Sequence, residues 1–167
     1  MVRVDRLGED DWVVFREIRL RSLLDSPDAF GSTYGEESSQ TERAWRDWAA
    51  GRWRDGSAVV FAGRAEDGTP VGTATGAGYE AEPAVAHVYA MWVAPDARGA
   101  GVGRALLDAV EAWAKDRGCG RLVLTVTETN AAARVFYGAC GFVESGDRAL
   151  LREGSALEVL TMIWELR

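Results

Sequence analysis

Hydrophobic positions near the start of the chain set out a strand and then two helices. Val2 to Leu7 alternates, with Val2 and Val4 on one face, and predicts a short strand. Asp10 or Asp11 can cap a following helix, in which Val14, Ile18, Arg21 and Leu24 fall near i, i+4, i+7 and i+10. Ser26-Pro27-Asp28 stops that helix near Leu24, because the residue before a proline is pushed out of the helical region. Residues 29–40 read as loop, and Thr41 caps a second helix carrying Trp45 and Trp48.

After Gly56 the period changes. Ala58 to Ala62 reads as a buried strand, and Asp67-Gly68 is the favoured pair for a hairpin turn back into Val71 to Tyr79. Ala84 to Val93 is a longer third strand stopped by Pro95. Val102 to Arg117 has helical spacing, with Leu106, Val110 and Trp113 on the inner face and Glu111–Lys115 as an outer i, i+4 pair. Gly118 ends it. Arg121 to Thr127 is apolar enough for a central strand, and Asn130 caps a short helix that ends at Gly141. Strands near 142–150 and 156–166 close the chain. The order β-α-α-β-β-β-α-β-α-β-β predicts one mixed α/β domain over residues 1–167, with helices packed on a twisted sheet.

Composition narrows the chemistry. The 167 residues are 47% hydrophobic and 27% charged, a globular balance with a sizeable core. No apolar run approaches the roughly 18 residues needed to cross a bilayer, and the opening alternation of charge and valine is unlike a signal core, so a cytoplasmic location is expected. A formal net charge of -7 argues against nucleic acid as a partner, since that affinity rests on neutralising phosphates. It suits a cationic small molecule or a basic peptide. Two cysteines, Cys119 and Cys140, make no disulfide framework, and one histidine makes no metal set.

The sharpest local signal runs from Val93 to Arg104. A strand ends at a proline, and Arg98-Gly99-Ala100-Gly101-Val102-Gly103-Arg104 then leads straight into a helix. Alternate glycines let several N–H groups face one small concavity, and the helix N-terminus adds partial positive charge. Such a nest suits a pyrophosphate, with Arg98 and Arg104 adding charge-assisted contacts. GxxxxGK[ST] is absent, and the dinucleotide fingerprint fails at Arg104, which excludes the two better-known phosphate loops. Farther on, Asn130, Arg134 and Tyr137 share one helix face by spacing. A tyrosine there holds a donatable proton at neutral pH.

Arg98 to Gly103 resembles the R/Q-x-x-G-x-G/A signature of the GNAT superfamily of N-acetyltransferases. Asn130 to Tyr137, leading into Gly141-Phe142, resembles that family's N-x-x-A-x-x-F/L-Y-x-x-x-G-F segment. The resemblance covers residues 58–166. It implies a mostly antiparallel twisted sheet of about seven strands flanked by about four helices. It also implies acetyl-CoA as co-substrate, no metal, and transfer of the acetyl group to a primary amine in a ternary complex. Gly99, Gly101, Val102 and Gly103, with Arg98, Arg104, Asn130, Arg134 and Tyr137, then become the cofactor-binding set. Tyr137 takes the role of acid toward the thiolate, and the backbone of Met91 and Val93 holds the acetyl carbonyl and pantetheine arm. The strands carrying Met91 and Leu122–Thr127 would have to splay to admit that arm.

The amine must lose a proton, and Glu36, Glu37, Glu128 and His87 (through a water chain) are the available bases. Trp45, Trp48 and Trp53 are candidates for an acceptor pocket. A peptide N-terminus or lysine is an alternative acceptor, and a non-catalytic acyl-CoA sensor is an alternative of another class. Residues 20–56 are expected to decide acceptor choice. An apolar edge strand at residues 157–164 invites a homodimer.

Overall fold

The computed structural model describes residues 2–53 and 55–167. Strand β1 (Arg3–Arg6) leads into helix α1 (Trp12–Asp25), then α2 (Tyr34–Ser38) and α3 (Glu42–Ala49). Four strands follow: β2 (Arg52–Trp53), β3 (Gly56–Arg64), β4 (Pro70–Tyr79) and β5 (Val85–Val93). Helix α4 (Val102–Asp116), β6 (Arg121–Thr127), α5 (Ala131–Cys140), β7 (Val143–Leu150) and β8 (Glu158–Glu165) complete the chain. The sheet runs β1-β3-β4-β5-β6-β8-β7, with β2 paired outside this path to β3. Among the described residues only the β5–β6 pair is parallel.

Helix α4 lies on one face of the sheet, seated on the small residues of β3 and β4. A Cβ at Gly72 would come within 2.9 Å of Val102 and one at Gly76 within 3.0 Å of Trp113, so these glycines allow a close helix–sheet approach. Leu106, Leu107 and Val110 of α4 are fully buried there. Thr73, next to Gly72, faces the opposite side by the two-residue alternation of a strand. Its partner Trp92 donates from Nε1 to Asp25 in α1 at 3.0 Å, which places α1 on that second face.

The predicted elements form, with differences that have physical causes. Helix α1 is rotated from the expected face. Phe15, Ile18, Leu20 and Leu23 are buried, whereas Leu24 is 64% exposed, so the packed stripe lies about one residue from the expected one. Asp11 does not cap α1 through its side chain but accepts from the Gly8 N–H at 2.8 Å. The expected loop at 29–40 contains α2, started by Thr33 accepting from the Glu36 N–H at 3.3 Å. Helix α3 begins as expected, with Thr41 accepting from Ala44 N–H at 3.2 Å. Trp113 is only half-buried; Leu107 and Ala114 share the inner face instead.

One expectation is overturned. The strand expected at an open edge, β8, is interior, paired along its length to β6 and on its other side to β7. The edge is β7, which is polar over Glu144–Arg148 and interrupted by a register shift there. Its irregularity removes the apolar edge on which pairing with a second copy was expected.

Candidate active site

The site begins as a fault between β5 and β6. The two strands pair only over Val85–His87 with Arg121–Val123. Beyond them β6 keeps β8 as its partner, while β5 follows β4 alone. The cause lies in β5, where Thr75 opposes Tyr89 but Thr73 opposes Trp92, so the chain carries an extra residue near Ala90. Ala90 takes φ +53, a left-handed conformation that costs a side-chain-bearing residue about 1–2 kcal/mol. Such a bulge bends a strand and re-aims its side chains. The expected splay is present, and it falls at Met91.

A cavity of about 860 Å³ occupies this opening. Val88, Met91, Leu124 and Val126 line it from the separated strands, and Ala133 and Tyr137 from α5. Its other wall comes from the N-terminal helices, including Phe15, Phe30, Glu36, Glu37 and Trp48. Residues 20–56 thus supply much of one wall, although their sequence carried no decodable pattern. Trp48 and Trp53 line the cavity, whereas Trp45 is core, 1% exposed and edge-on to Phe15 and Trp48.

Tyr137 lines the cavity and is packed between Phe136 and Phe142. Burial pushes its phenol ionisation well above the ordinary tyrosine value, because the phenolate would lose its hydration. Asn130, also at the cavity, accepts through Oδ1 from the Ala133 N–H at 3.1 Å, which starts α5 and leaves its amide nitrogen free to donate. Arg134 does not face the cavity. It grips Glu144 at 2.7 Å and the Glu128 carbonyl at 3.1 Å.

The three expected carboxylate bases separate. Glu128 is ion-paired to Arg148 at 2.8 Å and is not among the cavity-lining residues. Placing it near the opening from its position after a central strand is therefore not supported, because the chain turns at residues 128–130 and sends its side chain to β7. Glu37 lines the cavity but is locked to Arg19 at 2.8 Å. Glu36 lines it with a carboxylate that makes no ion pair or hydrogen bond among the described residues. His87 stands behind the wall, 3.2 Å from Glu82 and stacked on Tyr89, which does reach the cavity.

The glycine loop lies outside the cavity, on the surface beside the first turn of α4. Gly99 and Gly101 have φ of +82 and +86, and a Cβ at either would meet nothing within 4 Å. Glycine is needed there for backbone conformation, and the space in front is open. Gly103 differs: a Cβ there would press to 3.0 Å on Phe136, so this residue serves the α4–α5 contact. Arg98 turns back, donating to the Val93 carbonyl at 2.9 Å and to Asp25 at 3.1 Å. Arg104 lies along its helix, 2.8 Å from Asp108. Neither guanidinium is held over the loop amides, and the Val93 carbonyl is already engaged. Val102 is buried, leaving its backbone as its means of facing a ligand.

Arg19, Asp25 and Tyr89 escaped the sequence reading. Each has the pattern of an ordinary helix or strand residue, and no motif marked them. Both cysteines are buried free thiols outside the cavity lining. Among the described residues no group of three or more His, Cys, Asp or Glu is placed to hold a metal ion, and no helix is long and apolar enough to cross a membrane.

Comparison with known proteins agrees with this geometry. A family model described as the acetyltransferase (GNAT) family matches residues 18–142. An aminoglycoside N(6')-acetyltransferase type 1 of Stenotrophomonas maltophilia is 38% identical over 98 residues, which is 54% of this chain and 63% of that protein. A mycothiol acetyltransferase of Acidothermus cellulolyticus is 31% identical over 160 residues, 92% of this chain but 47% of that protein. The chain thus matches only part of the length of these curated relatives. The crystal structure of nourseothricin acetyltransferase is 33% identical over 66% of each chain, with a TM-score of 0.61. The structure of yncA from Salmonella typhimurium with its cofactor acetyl-CoA covers 100% of this chain and 95% of its own at a TM-score of 0.78, a likeness of fold alone at 18% identity. The splayed strands, the glycine loop and the match to the family model over residues 18–142 together place this chain in the GNAT acetyltransferase family.

Proposed function

We propose that the chain acts as one acetyltransferase domain, moving an acetyl group from acetyl-CoA to the primary amine of a small molecule while both substrates are bound. The observation that carries this reading is the single cavity that runs from Glu36 on the α2 side, through the β5–β6 opening, to Tyr137 on α5. One space touches both the candidate acid and the candidate acceptor wall. The names of the relatives, acetyltransferases of aminoglycosides and mycothiol, point the same way.

The residues fit acetyl-CoA. The open ground before Gly99 and Gly101 and the free amides opening α4 suit a pyrophosphate. The unpaired side of β5 near Met91 and the amide of Asn130 suit the pantetheine arm. When bound there, acetyl-CoA supplies its acyl group as an activated thioester. Tyr137 Oη then serves as hydrogen-bond donor and proton source toward the sulfur that departs. Its raised ionisation keeps the proton in place until negative charge develops beside it. Glu36 draws in the ammonium form of the amine and accepts its proton, directly or through water. The apolar walls exclude bulk water and hold the reacting groups in one orientation.

The test is acetyl-CoA-dependent thiol release across a panel of alkyl amines, amino sugars, amino acids and short peptides. Release with a small-molecule amine supports the proposal. Release with peptides alone turns the reading toward a protein acceptor, and tight acetyl-CoA binding with no release turns it toward a sensor.

A further inference from the structure

Residues 26–33 join α1 to α2 as a strap that carries part of the cavity wall, with Phe30, Gly31 and Ser32 on it and Glu36 and Glu37 just beyond. Its own means of holding a position are few. The single turn of 3-10 helix at Pro27–Ala29 buries no side chain, and α2 has only five residues, too few to be stable alone. The strap is instead pinned from outside. Thr127, buried at the end of β6, donates from Oγ1 to the Asp28 carbonyl at 2.6 Å. Arg152, in the turn between β7 and β8, donates from Nη1 to the Phe30 carbonyl at 2.7 Å and to the Pro27 carbonyl at 3.3 Å. Gly31 runs so close to that turn that a Cβ on it would come to 3.4 Å from the Leu151 carbonyl. At the far end Arg19 holds Glu37 at 2.8 Å.

These pins are directional in a way that apolar packing is not. Arg152 makes no ion pair among the described residues, and one nitrogen of its guanidinium serves two backbone carbonyls of a single turn, a charge-assisted arrangement that fixes direction as well as distance. Thr127 and Leu151 themselves line the cavity, so the strap is held where it borders the site. The Leu151 N–H, bonded to the Leu157 carbonyl at 2.9 Å, closes the β7–β8 turn that carries Arg152. We propose that Arg152 is a positioning residue for the acceptor, which with Thr127 fixes the carbonyls of residues 27–30 and thereby sets where Phe30, Gly31, Ser32 and Glu36 stand on the cavity. This rests on the acetyl-transfer reading above and adds the β7–β8 turn to the elements that select the amine. A displacement of about 1 Å is enough to slow a positioned reaction by roughly a hundredfold.

The probes are hexylamine, glucosamine and glycylglycine, with thiol release and amide hydrogen exchange both read on the full chain. Arg152→Met, which keeps the stem and removes the donors, should lower kcat/KM for the amine on the order of tenfold, the size of a hydrogen bond from a charged donor. The KM for acetyl-CoA should stay within twofold of wild type, a split that a general loss of structure would not give. Arg152→Lys, which can still reach a carbonyl, should recover part of the loss. Thr127→Val, of the same shape without the hydroxyl, should act in the same direction, and Thr127→Ser should restore the rate. Amides of residues 28–37 should exchange faster in Arg152→Met and Thr127→Val, with those of α4 unchanged. An amine kcat/KM within twofold of wild type in both variants overturns the proposal. So does a KM for acetyl-CoA raised in step with the loss, or a Thr127→Ser as impaired as Thr127→Val. If the melting curve shows Arg152→Met unfolded, the two Thr127 variants decide alone. No turnover of any probe by wild type sinks the transferase reading, and the pinned strap then stands or falls on the exchange rates. Normal transfer with unchanged exchange in the variants keeps the transferase and sinks the positioning role.

Discussion

The hydroxyl of Tyr137 keeps its proton because the buried phenolate would be poorly solvated, and that makes it a reservoir rather than a strong acid. Replacing it with phenylalanine removes only the hydroxyl. We expect kcat to fall on the order of a hundredfold, with the KM for acetyl-CoA and the melting midpoint nearly unchanged. A kcat within twofold of wild type would take Tyr137 out of the chemistry. Gly101 is a second position where one residue decides. At φ +86 even alanine is strained, and Gly101→Glu adds bulk and negative charge to the open ground before the loop. Acetyl-CoA affinity measured by calorimetry should be lost in that variant, and an unchanged affinity would show the loop to be no phosphate nest. Tyr137 and Gly101 stood out in the sequence by helix-face spacing and alternating glycines, and their proposed roles came from the family resemblance. The side chains of Glu128 and Arg134 lie away from the cavity because their partners, Arg148 and Glu144, arrive from a strand that no local pattern ties to them.

At the level of elements, Asp25 joins the end of α1, strand β5 and the glycine loop. Its Oδ2 accepts from Ser26 Oγ at 2.7 Å, Trp92 Nε1 at 3.0 Å and Arg98 Nη2 at 3.1 Å. Those donors, Ser26 foremost, hold its carboxyl below the usual aspartate range. A depressed folded-state value stabilises the protein above the unfolded pKa of about 3.9, and the contribution is lost as pH falls through the lower folded value. Asp25→Asn should therefore lower the melting temperature at pH 7 and converge with wild type in the acid range. A constant difference across pH would mean that the carboxylate charge plays no part. The same variant weakens the tie that holds the glycine loop to the end of α1, and a raised KM for acetyl-CoA is expected with it. Most strands and helices could be read from periodicity and caps. The face of α1 and the short helix α2 could not: Arg19 is buried against Glu37, eighteen residues on, Ser22 is buried with its hydroxyl bonded back to the Arg19 carbonyl, and five residues are too few to show a period.

For the whole molecule, strand order mattered more than strand identity. The interior place of β8 and the parting of β5 from β6 are long-range pairings that local alternation does not encode. The parting was anticipated only because the family resemblance demands a slot at Met91. The bulge at Ala90 supplies its cause. Neither Cys119 nor Cys140 lines the cavity, so the proposed reaction is direct transfer without a cysteine acyl carrier.

The most direct test is the initial rate over a grid of acetyl-CoA and amine concentrations, for wild type and for Cys119→Ser/Cys140→Ser. Intersecting reciprocal plots, with the double variant still active, are the result predicted by a cavity that holds both substrates at once. Parallel plots, activity abolished in a folded cysteine variant, or no transfer to any amine would contradict it.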